Sequence, residues 1–247
     1  MRREASIIFT KIMNDKAKVI AIAGAAGGLG PTVAQAFARS GAQLSLADAN
    51  QSKLEATSAR LANVPTELHL AVVDLLDAAQ TKAWAKDIEQ RFGRVDAVIH
   101  LVGGYRGGQP IAQSPAEDWA LLKGLLVETT WNVIRAFVEL LKAHQGRFIL
   151  VSSPQAQRPA YANAAYGACK AAAEALTLAL ADEFKGSGAT ANIIVVNAIL
   201  TPQMRAEQPE ADYRQFTAAE DIAAAMLYLC SDAAASMNGQ RLTLFGR

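Results

Sequence analysis

The sequence is poor in the residues that build metal centres and covalent scaffolds. It has two cysteines, Cys169 and Cys230, and three scattered histidines, His69, His100 and His144, in 247 residues. Their spacing matches no zinc-ligand pattern, and two distant thiols do not make a disulfide framework. No bound metal is expected, and free thiols suit a reducing, cytoplasmic compartment. An excess of either charge is also missing: 24 basic and 23 acidic residues leave a formal net charge of +1. Proteins that bind nucleic acid by neutralising phosphates need a basic surplus, so no nucleic-acid partner is expected. No apolar stretch reaches the roughly 18 residues of a membrane span, and no membrane partner is expected. The opening MRREASIIFTKIMNDKA is basic and then briefly apolar, too briefly for a signal-peptide core. Residues 1–17 therefore read as a loose extension, and 18–247 as one domain.

What is abundant is apolar sequence cut into short runs. Strands are predicted at 19–23, 43–47, 68–73, 97–102, 147–151, 191–197 and 241–245, with helical stretches near 31–40, 51–62, 78–92, 115–143, 164–185 and 218–231. Strands alternating with helices of this length imply βαβ units and a parallel sheet. The runs are almost uninterrupted in apolar residues, as strands are when helices cover both faces. The expected fold class is α/β: a three-layer Rossmann fold, with a doubly wound parallel sheet of about seven strands and helices on both faces.

The first strand, KVIAIA, runs directly into GAAGGLG and then a helix. Gly24, Gly28 and Gly30 form a G-x-x-x-G-x-G turn, where the lack of Cβ atoms lets backbone amides approach a pyrophosphate. The following helix directs its positive N-terminal end at such an anion, and Pro31 suits its first position. Gly24, Gly28, Leu29 and Gly30 are the candidate cofactor contacts here; a ligand-free strand–helix connection is the alternative. The second strand ends in Asp48, 18 residues after Gly30. A carboxylate there can accept both adenosine ribose hydroxyls and repels a 2′-phosphate. NAD(H) is therefore expected over NADP(H), and Ala49 and Asn50 offer no cation to reverse the choice. The competing reading of Asp48 is a helix cap.

YGACK places Tyr166 and Lys170 on one helix face. An isolated phenol titrates near pH 10 and is a poor base at neutral pH; an adjacent cation favours the phenolate and suits it to acid–base catalysis. Ser153 stands 13 residues before Tyr166, just past the strand RFILV. Ligands of open parallel sheets bind beyond the carboxyl ends of strands, so its hydroxyl can hold a substrate oxygen. The plainer reading is a serine that ends a strand.

With the glycine turn, Asp48, Asp74 after the third strand, Ser153 and Tyr-x-x-x-Lys in this order, the chain resembles the short-chain dehydrogenase/reductases of the single-domain type, from about Lys18 to Phe245. The resemblance implies Tyr166 as general acid/base, Lys170 as its modulator and ribose contact, and Ser153 as the group orienting the substrate oxygen. It places Asp74 and Leu75 at the adenine, Val102 and Gly103 beside the cofactor after the fourth strand, and Thr201 at the nicotinamide. It also implies a homotetramer or homodimer assembled through the helices near 115–143 and 164–185, the second of which is alanine-rich on more than one face.

The sequence departs from the family at four points. Asn-Asn-Ala-Gly is replaced by His100, Leu101, Val102 and Gly103. The relay asparagine aligns with Leu126. The threonine that leads the glycine turn is Ala23. VNAIL runs into TPQMR without the usual Pro-Gly stretch, and Ile199–Phe216 is expected to be a loosely packed, mobile lid. DAVIHLVGGYRGG and TPQMRAEQPEADY look like segments of dihydropteridine reductase, a member that reduces a quinonoid pterin with NADH and lacks the serine. His100 reads as a polar residue tucked beside the cofactor, Tyr105 and Arg106 as pocket or solvated loop, and Trp84, Trp119 and Trp131 as core or interface. The expected function is NAD(H)-dependent interconversion of an alcohol and a ketone or aldehyde. The rivals are a quinonoid dihydropteridine reductase-like enzyme and a catalytically weak NAD-binding sensor or scaffold.

Overall fold

The computed structural model describes residues 17–245; the proposed N-terminal extension lies, apart from Ala17, outside the described residues. Seven parallel strands form the central sheet: β1 (Val19–Ala23), β2 (Gln43–Asp48), β3 (Leu68–Val72), β4 (Ala97–His100), β5 (Arg147–Ser152), β6 (Thr190–Val196) and, last in the chain, β9 (Arg241–Leu244). All seven lie within two residues of their predicted bounds. Their order is β3-β2-β1-β4-β5-β6-β9, so the direction of winding reverses between β1 and β4. This is the three-layer Rossmann arrangement, and its switch point is where such sheets open a crevice for ligands.

The helices are α1 (Gly30–Arg39), α2 (Gln51–Ala59), α3 (Ala78–Phe92), α4 (Ala116–Leu122), α5 (Thr129–Ala143), α6 (Ala164–Glu183), α7 (Pro202–Glu207) and α8 (Ala219–Leu229). Alternate strand residues feed two cores, which is why the strands read as continuous apolar runs. Ala21, Val98, Phe148 and Ile193 meet α3, α5 and α6 through Trp84, Phe137 and Leu180. Ile22, Ile99, Ile149 and Ile194 meet α1 and α8 through Val33, Phe37 and Met226. Trp84 is a core residue; its indole N–H donates to Ser45 Oγ at 2.8 Å and its ring meets Phe137 edge-on at 4.9 Å. Trp119 and Trp131, each 48% exposed, lie on the surface of α4 and α5.

Two regions differ from the sequence reading. The helix predicted across 115–143 is interrupted by a π turn, Lys123–Glu128, between α4 and α5. Thr129 Oγ1 donates to the Leu125 carbonyl at 2.6 Å and Thr130 Oγ1 to the Leu126 carbonyl at 2.7 Å. Such back-bonding at a widened turn accommodates the local change in winding. The segment expected to be a loose lid is built as β7 (Ala198–Leu200), then α7, then β8 (Phe216–Ala218), with β7 and β8 paired in parallel. Thr201 caps α7 by accepting from Met204 N at 3.2 Å. Tyr213 packs edge-on against Phe216 at 5.3 Å, and its one hydroxyl proton is shared between the carbonyls of Met204 and Gln208, at 3.0 and 3.1 Å. These local polar and aromatic contacts, rather than an apolar face, give the segment its form, so hydrophobic periodicity did not announce it.

Candidate active site

The turn between β1 and α1 lies at the switch point. Gly24 has φ +79°, and a Cβ on it would stand 2.9 Å from Val102 N. At Gly30 a Cβ would stand 2.1 Å from the Ala25 carbonyl oxygen, so this glycine lets the helix start against the turn. Gly28 is different: the nearest atom to a Cβ there is Thr201 Cγ2 at 3.4 Å, and the space beyond is open cavity. A side chain at Gly28 would fill that cradle, which is a fit to a cofactor whose phosphates lie against bare backbone. Leu29 precedes α1 and supplies no side-chain cap; Gly30 N is spent on the Gly27 carbonyl at 3.0 Å and Val33 N on the Leu29 carbonyl at 3.2 Å, so an anion here would meet the positive end of the helix rather than a full set of open amides. Pro31 occupies the second helical position, not the first as expected, because the helix already begins at Gly30; the amide it lacks would have had no partner there either.

Two cavities meet along Gly24, Gly27, Leu101, Val102 and Gly103. One, about 260 Å³, is lined by Asp48, Asp74, Leu75 and Val102. Asp48 accepts from Ala26 N at 3.1 Å and Asn50 N at 3.0 Å, so its carboxylate is tied to the glycine turn. It does not cap α2; Asn50 does, accepting from Lys53 N at 2.9 Å. Asp74 accepts from Leu76 N at 2.9 Å. Lys53 and Arg60 line a separate depression on the outer side of the turn, two cations that the reading of Asp48's immediate neighbours did not find.

The other cavity, about 340 Å³, brings together Leu29, Gly103, Tyr105, Ser152, Tyr166, Lys170 and Thr201. Tyr166 and Lys170 project from α6 toward the ends of β4 and β5. Lys170, 7% exposed, donates to the Val151 carbonyl at 2.8 Å, and its Nζ stands 5.9 Å from the Tyr166 ring centre. Burial pulls its pKa down to about 8, with Glu174 opposing. Tyr166 is pushed above the usual phenol value, chiefly by burial and then by Tyr105, while the Ser153 side chain pulls it down. The sequence reading expects Lys170 to depress Tyr166; in the protein alone, burial outweighs the groups around the phenol.

Of the serine pair, Ser152 lines the cavity, whereas Ser153, 4% exposed, caps a short 3₁₀ turn by accepting from Gln155 N at 3.4 Å and acts on the Tyr166 phenol. Tyr105 meets Tyr166 edge-on at 5.2 Å and donates to Asn163 Oδ1 at 2.7 Å. Arg106 turns away toward Asp118, 3.7 Å off. Leu126, 2% exposed, packs with Leu122 and Cys169 beneath Tyr166, so an apolar side chain stands at the relay position.

A family model described as enoyl-(acyl carrier protein) reductase matches residues 24–244. The chain belongs to the short-chain dehydrogenase/reductase family. D-threitol dehydrogenase of Mycolicibacterium smegmatis is 29% identical over 239 residues, covering 93% of this chain and 92% of that protein. Among solved structures, a short-chain type dehydrogenase/reductase from Mycobacterium ulcerans is 26% identical with a TM-score of 0.82, covering 92% of this chain and 88% of its own. Levodione reductase is 25% identical with a TM-score of 0.83, covering 93% and 96%. The family makes this chain an oxidoreductase. Sequence reasoning missed Ser152, the Val151 carbonyl and Asn163 as parts of the site. Only Ser152 carried any signal, as the other half of a serine pair at a strand end.

Proposed function

We propose that the chain is an NAD(H)-dependent oxidoreductase that interconverts an alcohol with a ketone or aldehyde. The observation that carries this is the single cavity joining Tyr166 and Lys170 to the glycine turn, continuous with a second cavity that ends on Asp48 and Asp74. Gly24, Gly28, Leu29 and Gly30 would hold the phosphates, Asp48 the adenosine ribose, Asp74 and Leu75 the adenine, and Val102, Gly103 and Thr201 the nicotinamide half. The bound dinucleotide supplies or takes the hydride. Ser153 orients the substrate oxygen, Tyr166 gives that oxygen its proton in reduction and removes it in oxidation, and Lys170 favours the phenolate this leaves. Tyr105 walls the substrate side. The names of two relatives, a dehydrogenase for D-threitol and a reductase for levodione, support hydroxyl and carbonyl substrates. Ser153 beside Tyr166 favours this reading over a quinonoid pterin.

A screen of NADH and NADPH oxidation across ketones, diketones, aldehydes and quinonoid pterins tests the assignment. Turnover of carbonyls with NADH is expected; turnover of pterins alone, or NADH binding with no turnover, would replace it. We also propose assembly into a dimer or tetramer through α4, α5 and α6. Trp119, Leu121 and Trp131 are exposed on these helices, and large apolar side chains left in solvent favour a protein partner. Light scattering at micromolar concentration should give at least a dimer, and a stable monomer would refute it.

A further inference from the structure

β4 ends on His100, which is 1% exposed, and β5 ends on Ser152, which is 2% exposed. Side chains alternate along a strand. Val98 and His100 on β4, and Phe148, Leu150 and Ser152 on β5, therefore share the face that α6 covers, and His100 stacks over Phe148 at 6.4 Å. Lys170 descends onto the same region from α6.

The contacts around His100 point to one tautomer. The hydroxyls of Thr129 and Thr130 have one proton each, and both protons go to backbone carbonyls. With the protons so placed, both threonines face His100 Nε2, at 3.4 and 3.1 Å, as acceptors. In that arrangement Nε2 carries the ring proton and Nδ1 presents a bare lone pair. Among the described residues that Nδ1 is buried without a protein partner, and so is Ser152 Oγ. Buried polar atoms are rarely left unpaired, and a bound water commonly joins those that cannot meet directly. Lys170 has three N–H donors and uses one on Val151.

We propose that His100 is a positioning residue for Lys170: a water that donates to His100 Nδ1 and Ser152 Oγ accepts a second N–H of Lys170, leaving the third for the cavity. The inference rests on the role given above to Lys170, but its test does not need turnover. Three partners are what a buried water usually has. The arrangement holds the ammonium beside Tyr166 and favours its charged form. The ionisable groups around Lys170 are Tyr166, Cys169 and Glu174 on α6 and His100 on β4, while Lys123 and Glu128 on the π turn pair with each other at 3.0 Å and are half-exposed. His100 stays neutral, since burial and then the Lys170 charge push its pKa to about 3. It is thus an acceptor across the working range.

Two substitutions separate positioning from packing. His100→Asn puts a polar amide near the Nδ1 position; His100→Gln reaches the Nε2 position and keeps the contact with the threonines. Lys170 is titrated in cofactor-free protein by NMR of isotope-labelled lysine, and the imidazole by nitrogen NMR. In the wild type Nδ1 should be unprotonated and Nε2 protonated. His100→Gln and Ser152→Ala should move the Lys170 midpoint down by about one pH unit, and His100→Asn should hold it near the wild-type value. The alkaline limit of NADH affinity should move with it. A proton on Nδ1, or a Gln variant that titrates as the wild type does, overturns the proposal; should the Gln variant not fold, the wild-type tautomer and Ser152→Ala decide. Failure to find any carbonyl substrate would leave these titrations unchanged, so the two readings fail separately.

Discussion

Replacing Lys170 with methionine should stabilise the cofactor-free protein while weakening its site. Burial takes Lys170 from the ordinary 10.5 to about 8. At 1.36 kcal/mol per pH unit, holding the ammonium in the folded state below pH 8 costs about 3 kcal/mol. Methionine has similar length and no charge to desolvate, but it forfeits the bond to the Val151 carbonyl, worth about 1 kcal/mol. A net gain of about 2 kcal/mol at pH 7 is expected, or about 4–8 °C in Tm for a chain of this size. The sign of the pH dependence follows from the depressed folded pKa. Between about 8 and 10.5 the unfolded chain binds more protons than the folded one, so the wild type gains stability as pH rises through that window. The advantage of Lys170→Met should therefore shrink or reverse by pH 10. Urea unfolding of both proteins at pH 7 and pH 10, compared as differences so that other titrating groups cancel, measures it. A variant that is less stable at pH 7, or a difference that ignores pH, would refute the reasoning.

Tyr166→Phe should lower kcat by at least the ~100-fold typical of a lost acid–base group while NADH still binds, as steady-state kinetics and fluorescence titration would check. Because burial holds Tyr166 above the usual phenol range, alcohol oxidation, which needs the phenolate, should speed up through the alkaline range, whereas ketone reduction should not. Asp48→Ala should narrow a preference for NADH over NADPH in paired fluorescence titrations, helped by Lys53 and Arg60 across the glycine turn; tighter NADPH binding in the wild type would sink the Asp48 argument. Gly30→Ala drives a Cβ to 2.1 Å from the Ala25 oxygen, so a loss of more than about 4 kcal/mol in urea unfolding, or no folded protein, is expected.

Most of the scaffold was legible because its signals are periodic and local. Seven apolar runs, the glycines of the first turn and Tyr166 with Lys170 at helical spacing all act through neighbours in sequence. What the sequence hid depends on contacts between distant residues or on competition between effects. The π turn depends on Thr129 and Thr130 reaching back to carbonyls, which helix propensity does not register. β7 and β8 are three residues each, too short to show alternation. The direction of the Tyr166 shift is set chiefly by burial, which depends on everything packed around the phenol and not on the lysine one turn away. Asp48 was read as a cofactor residue or a cap; Asn50 proves to be the cap, and Asp48 braces the glycine turn.

The pairing of β7 with β8 has a consequence for how this protein can change. Ala198 pairs with Phe216 and Leu200 with Ala218, and Thr217 fastens the second strand to the Leu244 carbonyl at 2.6 Å. Everything from Thr201 to Gln215 is thus an excursion with both feet fixed to the frame. Length and composition can vary between those feet without disturbing the register of the main sheet, since loop closure costs only about 0.6 kcal/mol per doubling of length. Only Thr201, at the first foot, lines the cavity of Tyr166 and Lys170, so the rest of the excursion lies outside that lining. Grafting residues 202–215 from a relative should leave the main sheet, and with it the positions of Tyr166 and Lys170, unchanged.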